Sequence, residues 1–115
     1  MMKAATYAPF AQLLEEQRRD YANTLPGRIA GMDQMWRAIA RHEAAPDDLD
    51  RLVRVAHGLA GSGAVFGFDR LSAEARTLEL ELQVLLASHA AASEGRKASI
   101  AAAIARVQDC VARPH

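Results

Sequence analysis

The residue with the clearest chemical potential is His57, which is followed within six residues by Gly58, Gly61 and Gly63. An imidazole is largely neutral near pH 7 and then presents a nucleophilic ring nitrogen. If the segment is helical, each internal glycine costs about 1 kcal/mol relative to alanine. Three such losses in six residues indicate a benefit other than helix stability. The pattern favours a surface nucleophile with cleared flanks.

A helical projection of this segment places His57 opposite an apolar stripe. At about 100° per residue, His57 lies about 140° from the centre of the stripe and is predicted to face solvent. Gly61 lies one turn later on the same face, where it clears the space beside the imidazole, a geometry that suits in-line phosphoryl transfer. The stripe is Leu49, Leu52, Val55, Ala56, Leu59, Gly63 and Phe66, and the face around His57 holds Asp50, Val53, Arg54, Gly61 and Ala64.

Simpler interpretations exist for the same residues. A lone exposed histidine is most often a solvated surface residue, although apolar periodicity as far as Phe66 argues against an early helix end. Arg54 either supplies a cation one turn before His57 or pairs with Asp50 four residues earlier. Val53 and Ala64 offer an apolar rim, but exposed small apolar residues are also common by chance.

The other chemically capable residues form no recognisable site. His42, His89 and His115 show no metal-ligand spacing, and no Glu-x-x-His pair lies on a predicted bundle helix. Cys110 is the single cysteine, so it forms no internal disulfide and no metal pattern. A helical metal or cofactor bundle therefore lacks its ligands, and we predict no metal site.

Composition narrows the class of protein. The chain has 115 residues, with 14 basic and 14 acidic side chains, and this length favours one domain over residues 1–115. The sequence has no cluster of basic residues of the kind that predicts nucleic-acid binding. It also has no run of about 18 apolar residues, which a membrane span would need. No secretory signal is evident at the beginning of the chain, so the expected location is the cytoplasm.

Helical periodicity appears five times, at about residues 7–22, 25–43, 47–66, 69–90 and 94–112. Thr24 is predicted to cap the second helix with Pro26 in its first turn. Gly67 is predicted to end the third helix, and Ser93 to cap the fifth. The predicted fold is all-α: an up-down antiparallel four-helix bundle from about Leu25, with an additional short N-terminal helix against one end.

The segment around His57 resembles the histidine-containing phosphotransfer (HPt) domain family of two-component phosphorelays. The family motif is close to His-x-Leu-Lys-Gly-Ser-x, and this chain matches it at the His, Leu, Gly and Ser positions. The resemblance is strongest over about residues 49–82. It rests on His57-Gly58-Leu59-Ala60-Gly61-Ser62-Gly63, on Phe66-Gly67, Leu71-Ser72 and Leu78-Glu79, and on the upstream Leu25-Pro26-Gly27-Arg28-Ile29.

This resemblance implies a phosphorelay intermediate rather than a stand-alone enzyme. His57 is the implied phosphoacceptor, flanked by Arg54, Ala60, Gly61 and Ala64, and Asp50, Val53 and Gly58 are expected to contribute to the docking surface. The implied partners are a response-regulator receiver domain and a sensor histidine kinase, hybrid kinases included. The chain itself needs no cofactor, because the Mg²⁺ is expected on the receiver.

One departure from the family pattern is Ala60, which stands where the family has a lysine thought to lie near the phosphoryl group. The alternative function is therefore a non-catalytic helical adaptor that binds receiver domains without efficient phosphotransfer.

Overall fold

The computed structural model describes the backbone of residues 2–112 and the side chains of residues 9–112. This part of the chain contains four helices and no strand. They are α1 (Met2–Ala40), α2 (Asp48–Val65), α3 (Asp69–Ser88) and α4 (Glu94–Ala112). Each helix packs against the next, and α4 packs back against α1. Because the connections are short, consecutive helices run antiparallel, so the predicted all-α four-helix bundle is confirmed.

The additional short N-terminal helix was a wrong prediction. The first two predicted helices form one continuous helix, α1, which runs through Pro26. Thr24 does not cap a helix, because its hydroxyl donates instead to the Tyr21 carbonyl. Pro26 removes one helical hydrogen bond, but Tyr21, Leu25 and Ile29 are all buried on the same side of α1. Their burial keeps the helix continuous where the local signals predicted a break.

Local signals predicted the end of α2 and the start of α4 correctly, whereas α3 begins after Phe68 with no side-chain cap. After α2, Gly67 has a φ of 81°, the Phe68 amide donates to the Gly63 carbonyl, and the Gly67 amide donates to the Ala64 carbonyl. These two bonds form a Schellman motif, whose left-handed residue is easiest for glycine. Before α4, the Ser93 hydroxyl accepts from the Arg96 amide, as predicted for an N-cap.

The core lies between the second half of α1 and the other three helices. A helix of 39 residues is about 58 Å long, whereas α2, α3 and α4 have 18 to 20 residues. All side chains from Pro9 to Asp20 are exposed, so the first part of α1 extends beyond the bundle. We call residues 9–20 the overhang. No described helix is long and apolar enough to cross a membrane.

Candidate functional site

Helices α2 and α3 approach each other closely at Gly63. A Cβ atom on Gly63 would lie 3.3 Å from the Ser72 backbone nitrogen, so only glycine fits without displacing α3. Beside this contact, the Ser72 hydroxyl donates to the Ala60 carbonyl over 2.6 Å. Gly63, which the sequence placed on the apolar stripe, is therefore buried in a close helix contact that holds α2 against α3 in one register.

The close approach turns α2 further toward α3 than the apolar pattern predicted. On a helix of about 100° per residue, the observed buried positions centre about 100° from His57 instead of about 140°. Val53 is only 8% exposed, so its prediction as a rim residue on the docking surface was wrong. Ala60 is also buried. The buried residues of α2 are Leu52, Val53, Ala56, Leu59, Ala60 and Gly63.

This rotation brings His57 to the edge of the α2–α3 interface, where it meets Glu79. His57 Nδ1 lies 2.8 Å from Glu79 Oε2. The His57 side chain is 75% exposed, whereas Glu79 is only 8% exposed. A carboxylate is an acceptor, so Nδ1 carries the hydrogen and donates it to Glu79. The lone pair of the neutral ring is then on Nε2, away from Glu79.

Glu79 is the site residue that the sequence interpretation missed. It is a buried carboxylate on a helix whose other inward positions are mainly apolar. Buried acids are uncommon unless they are paired, and Gln83 Nε2 also donates to Glu79 Oε2, over 3.3 Å. The sequence indicated this position only by an acidic residue that lies between Leu78 and Leu82, two buried residues of α3. The buried residues of α3 are Leu71, Ser72, Ala75, Leu78, Glu79, Leu82 and Leu85.

The solvent side of His57 is open, as predicted. Gly58, Gly61 and Ala64 are exposed. A Cβ atom placed on Gly58 or on Gly61 would meet nothing within 4 Å, so neither glycine is needed for packing within the bundle. Because these two glycines have no side chains, there is room for another molecule beside the imidazole.

Arg54 pairs with Asp50, four residues earlier on the same helix. Their side chains are 71% and 49% exposed, and exposed ion pairs of this spacing are weak. The pairing alternative for Arg54 is therefore confirmed, although so weak a pair leaves the guanidinium free to exchange partners.

A hydroxyl pair connects α1 to the helical turn beside His57. The Ser62 hydroxyl donates to the Gly58 carbonyl over 2.7 Å, and it lies 2.7 Å from the Tyr21 hydroxyl. Because Ser62 has one hydroxyl hydrogen, Tyr21 donates to Ser62. The Tyr21 ring stacks on Phe66, with centroids 4.6 Å apart. These contacts fix the N-terminal end of the buried part of α1.

An open groove lies between α1 and α2 next to these hydroxyl groups. Its volume is about 590 Å³. Glycine lines it on both helices, so its floor is partly bare backbone. We call it the glycine groove, and it is lined by Gly27, Arg28, Gly31, Met32, Met35, Val55, Gly58, Leu59 and Ser62.

Other reactive side chains lie outside this site. No group of three or more histidine, cysteine or acidic residues suited to a metal ion occurs among the side chains that the structure describes. His42 and His89 lie at helix ends with positive φ angles, and His115 lies outside the described residues. Burial raises the pKa of the Cys110 thiol, which keeps it in the unreactive thiol form.

Comparison with known proteins gives one result. The sequence model of the Hpt domain family matches residues 10–113, nearly the whole chain. No curated protein and no solved structure matches the chain.

Proposed function

This chain belongs to the Hpt domain family, and we propose that it is a phosphorelay intermediate whose phosphoacceptor is His57. Hpt domains are phosphocarrier modules rather than catalysts. In this proposal the chain receives a phosphoryl group from a receiver aspartate or from a sensor histidine kinase. It then passes the group to the aspartate of another receiver domain.

The observation that supports this proposal best is the contact between a buried carboxylate and an exposed imidazole. Glu79 accepts from His57 Nδ1, which fixes both the ring orientation and the tautomer. Nε2 is therefore the nucleophile, on a rigid helix and with solvent in front of it. Phosphoryl transfer depends mainly on positioning and electrostatics, and this arrangement supplies the positioning.

In the proposed transfer step, the bonds formed and broken are accounted for by His57 and the receiver aspartyl phosphate, without a cofactor on this chain. The Nε2 lone pair attacks the phosphorus atom of a receiver aspartyl phosphate, the N–P bond forms, and the P–O bond to the aspartate breaks. The aspartate leaves as a carboxylate with the bonding electron pair. Nδ1 keeps its hydrogen, so the ring gains positive charge, which the Glu79 carboxylate stabilises at 2.8 Å. Mg²⁺ bound by the receiver would balance the phosphoryl charge from the other side.

The proposed docking surface surrounds His57 on two helices. On α2 it contains Gly58, Gly61 and Ala64, which are exposed, with Asp50 and Arg54 at one end. On α3 the neighbouring exposed face includes Leu80, which is 58% exposed. Small residues next to the nucleophile and an apolar side chain at the edge suit a close protein–protein contact.

Radiolabelled phosphate transfer tests this function. We expect a phosphorylated receiver to label the chain with a phosphoryl group that is acid-labile and alkali-stable. His57→Gln abolishes the labelling. His89→Gln is the matched control, since it removes another exposed histidine and should leave labelling unchanged. Unchanged labelling of His57→Gln would exclude His57 as the acceptor.

The adaptor function remains the second candidate because Ala60 is buried and brings no cation to His57. An adaptor would bind receiver domains tightly without exchanging phosphate. Binding and transfer measured on the same receiver separate the two functions: binding with transfer supports the carrier, and binding alone supports the adaptor.

A further inference from the structure

Helix α1 carries two apolar surfaces that no part of the described chain covers. The first is a stripe on the overhang, where Phe10, Leu13 and Leu14 are 62%, 48% and 51% exposed, with Gln17 in line one turn later. The second is the glycine groove, which α1 shares with α2. Exposed apolar stripes of this kind mark interaction sites. Among the described residues, the overhang contacts the bundle near its end, where Arg18 donates to the Phe66 carbonyl and lies over the Phe68 ring. A helical segment with so few tertiary contacts is only marginally stable in water.

The two surfaces lie on the same side of α1. At about 100° per residue, the directions of the overhang stripe and of Gly27, Arg28, Gly31 and Met35 differ by about 40°. The core-facing stripe that contains Leu25 and Ile29 lies further round the helix. A second helix laid along α1 would therefore contact both surfaces at once.

The spacing within the two surfaces is complementary in an antiparallel pair. Phe10 and Leu14 are four residues apart, as are Gly27 and Gly31. Suppose that two copies of α1 pair with Phe10 of one copy facing Gly31 of the other. In this register Leu14 also faces Gly27, and Gln17 faces Thr24. Large apolar side chains then meet bare backbone, which lets the helices approach closely. The same register holds for both copies, as a two-fold symmetric interface requires.

We propose that this face of α1 is a homodimer interface, in which the overhang of each copy fills the glycine groove of the other. The contact extends from residue 10 to residue 31, about 33 Å along the helix. Per copy it uses the four residues of the stripe, Asp20 and Thr24, and the six groove residues that keep exposed surface within this span, which are Gly27, Arg28, Gly31, Val55, Gly58 and Ser62. A standard interface of about 1,600 Å² uses about 20–30 residues on each side.

Scaled by residue number, this pairing of twelve residues per copy buries roughly 800 Å² in total, the size of a weak and transient interface. It therefore predicts a reversible dimer of micromolar affinity. Gly58 and Ser62 line the groove, so the partner's overhang lies beside the helical turn that follows His57. Because the dimer covers Gly58, a receiver domain would then approach His57 from the α3 side, over Gly61 and Ala64 of the proposed docking surface.

The mass of the whole chain in solution, measured by sedimentation over a range of concentrations, tests the interface. We expect a shift from the 12.5 kDa chain to twice that mass. Leu14→Glu and Gly31→Gln should each weaken the dimer at least tenfold. A Cβ on Gly31 meets nothing within 4 Å and Gly31 borders an open groove, so Gly31→Gln should leave the fold of the monomer unchanged. The matched controls, Gln12→Glu and Ala30→Gln, lie on other faces of α1 and should leave the affinity unchanged.

Cross-linking tests the register. In a Cys110→Ser background, Gln17→Cys combined with Thr24→Cys should form an intermolecular disulfide on mild oxidation, because the two positions face each other. A chain that stays monomeric at roughly 200 µM, far above a micromolar Kd, would overturn the proposal. So would a dimer that Leu14→Glu and Gly31→Gln leave intact, or one that lacks this cross-link. None of these measurements involves phosphate, so their result is independent of the proposed phosphotransfer.

Discussion

The two interfaces that α2 makes within the bundle differ sharply. Against α3, Gly63 leaves only 3.3 Å between an added Cβ and the Ser72 backbone, and hydrogen bonds cross at Ser72 and Glu79. Against α1, an open groove of about 590 Å³ separates the helices, and the Tyr21–Ser62 hydroxyl pair crosses at one end.

In the proposed function, the two interfaces meet different requirements of His57. The α2–α3 interface supplies precision, because a close and hydrogen-bonded contact fixes the distance between His57 and Glu79. The α1–α2 interface supplies open surface next to the same helix. Changes on the α3 side should therefore alter chemistry or stability strongly, and changes on the α1 side should alter association or give smaller effects on stability.

The largest expected effect is on phosphoryl uptake, in Glu79→Ala. Loss of the carboxylate frees the imidazole to rotate and to change tautomer, and it removes the charge that stabilises the phosphorylated ring. We expect uptake to slow roughly a hundredfold, measured by radiolabelling against a fixed receiver.

Glu79→Gln is the matched control for charge, since its amide oxygen still accepts from Nδ1. It should be intermediate in rate and should retain the tautomer that nitrogen NMR detects. Equal rates for the wild type and for both variants would show that Glu79 does not position His57.

A pair of glycine substitutions compares packing with access on α2. Gly63→Ala places a methyl group against the α3 backbone and should lower the free energy of unfolding by about 1–3 kcal/mol. Gly61→Ala meets nothing within 4 Å and should raise it by up to about 1 kcal/mol through helix propensity. Denaturant unfolding measures both.

Gly61→Ala should slow phosphoryl uptake although it stabilises the fold, because the new methyl group lies beside His57. Faster or unchanged uptake by the stabilised variant would mean that Gly61 has no role in access to the imidazole.

The structure also shows which features the sequence could predict. Gly67 and Ser93 were predicted correctly because a Schellman motif and an N-cap involve only neighbouring residues. Thr24 and Pro26 were misread as a helix start because the burial of Tyr21 and Leu25 outweighs local preference there.

Glu79 was missed for a different reason. It lies 22 residues from His57, and its contact depends on how far α2 is rotated against α3. That rotation follows from the close approach of Gly63 to Ser72. A contact between two helices cannot be predicted from the apolar periodicity of one of them. The same rotation buries Val53 and brings His57 closer to the interface than the stripe alone indicated.

A smaller effect is expected on the α1 side, in Tyr21→Phe. The variant keeps the ring that stacks on Phe66 but loses the hydroxyl that donates to Ser62. The free energy of unfolding should fall by about 1 kcal/mol, and phosphoryl uptake should stay close to that of the wild type. A large loss of uptake would contradict the division of roles between the two interfaces.

The smallest effect concerns Cys110 on α4, which lies outside both interfaces and reports on native packing. Burial raises the pKa of its thiol, so at neutral pH the reactive thiolate is scarcer than in an unfolded chain. Alkylation should be several-fold slower in the native protein than in denaturant, as measured by mass spectrometry. Equal rates would show that burial does not protect this thiol.

The most direct test of the account is to identify which nitrogen of His57 carries the phosphoryl group. Phosphorus and nitrogen NMR on the phosphorylated chain distinguish the two positions. Because Glu79 occupies Nδ1 at 2.8 Å, we expect phosphorylation at Nε2 of His57, with Nδ1 still protonated. A phosphoryl group on Nδ1, or on any residue other than His57, would contradict it.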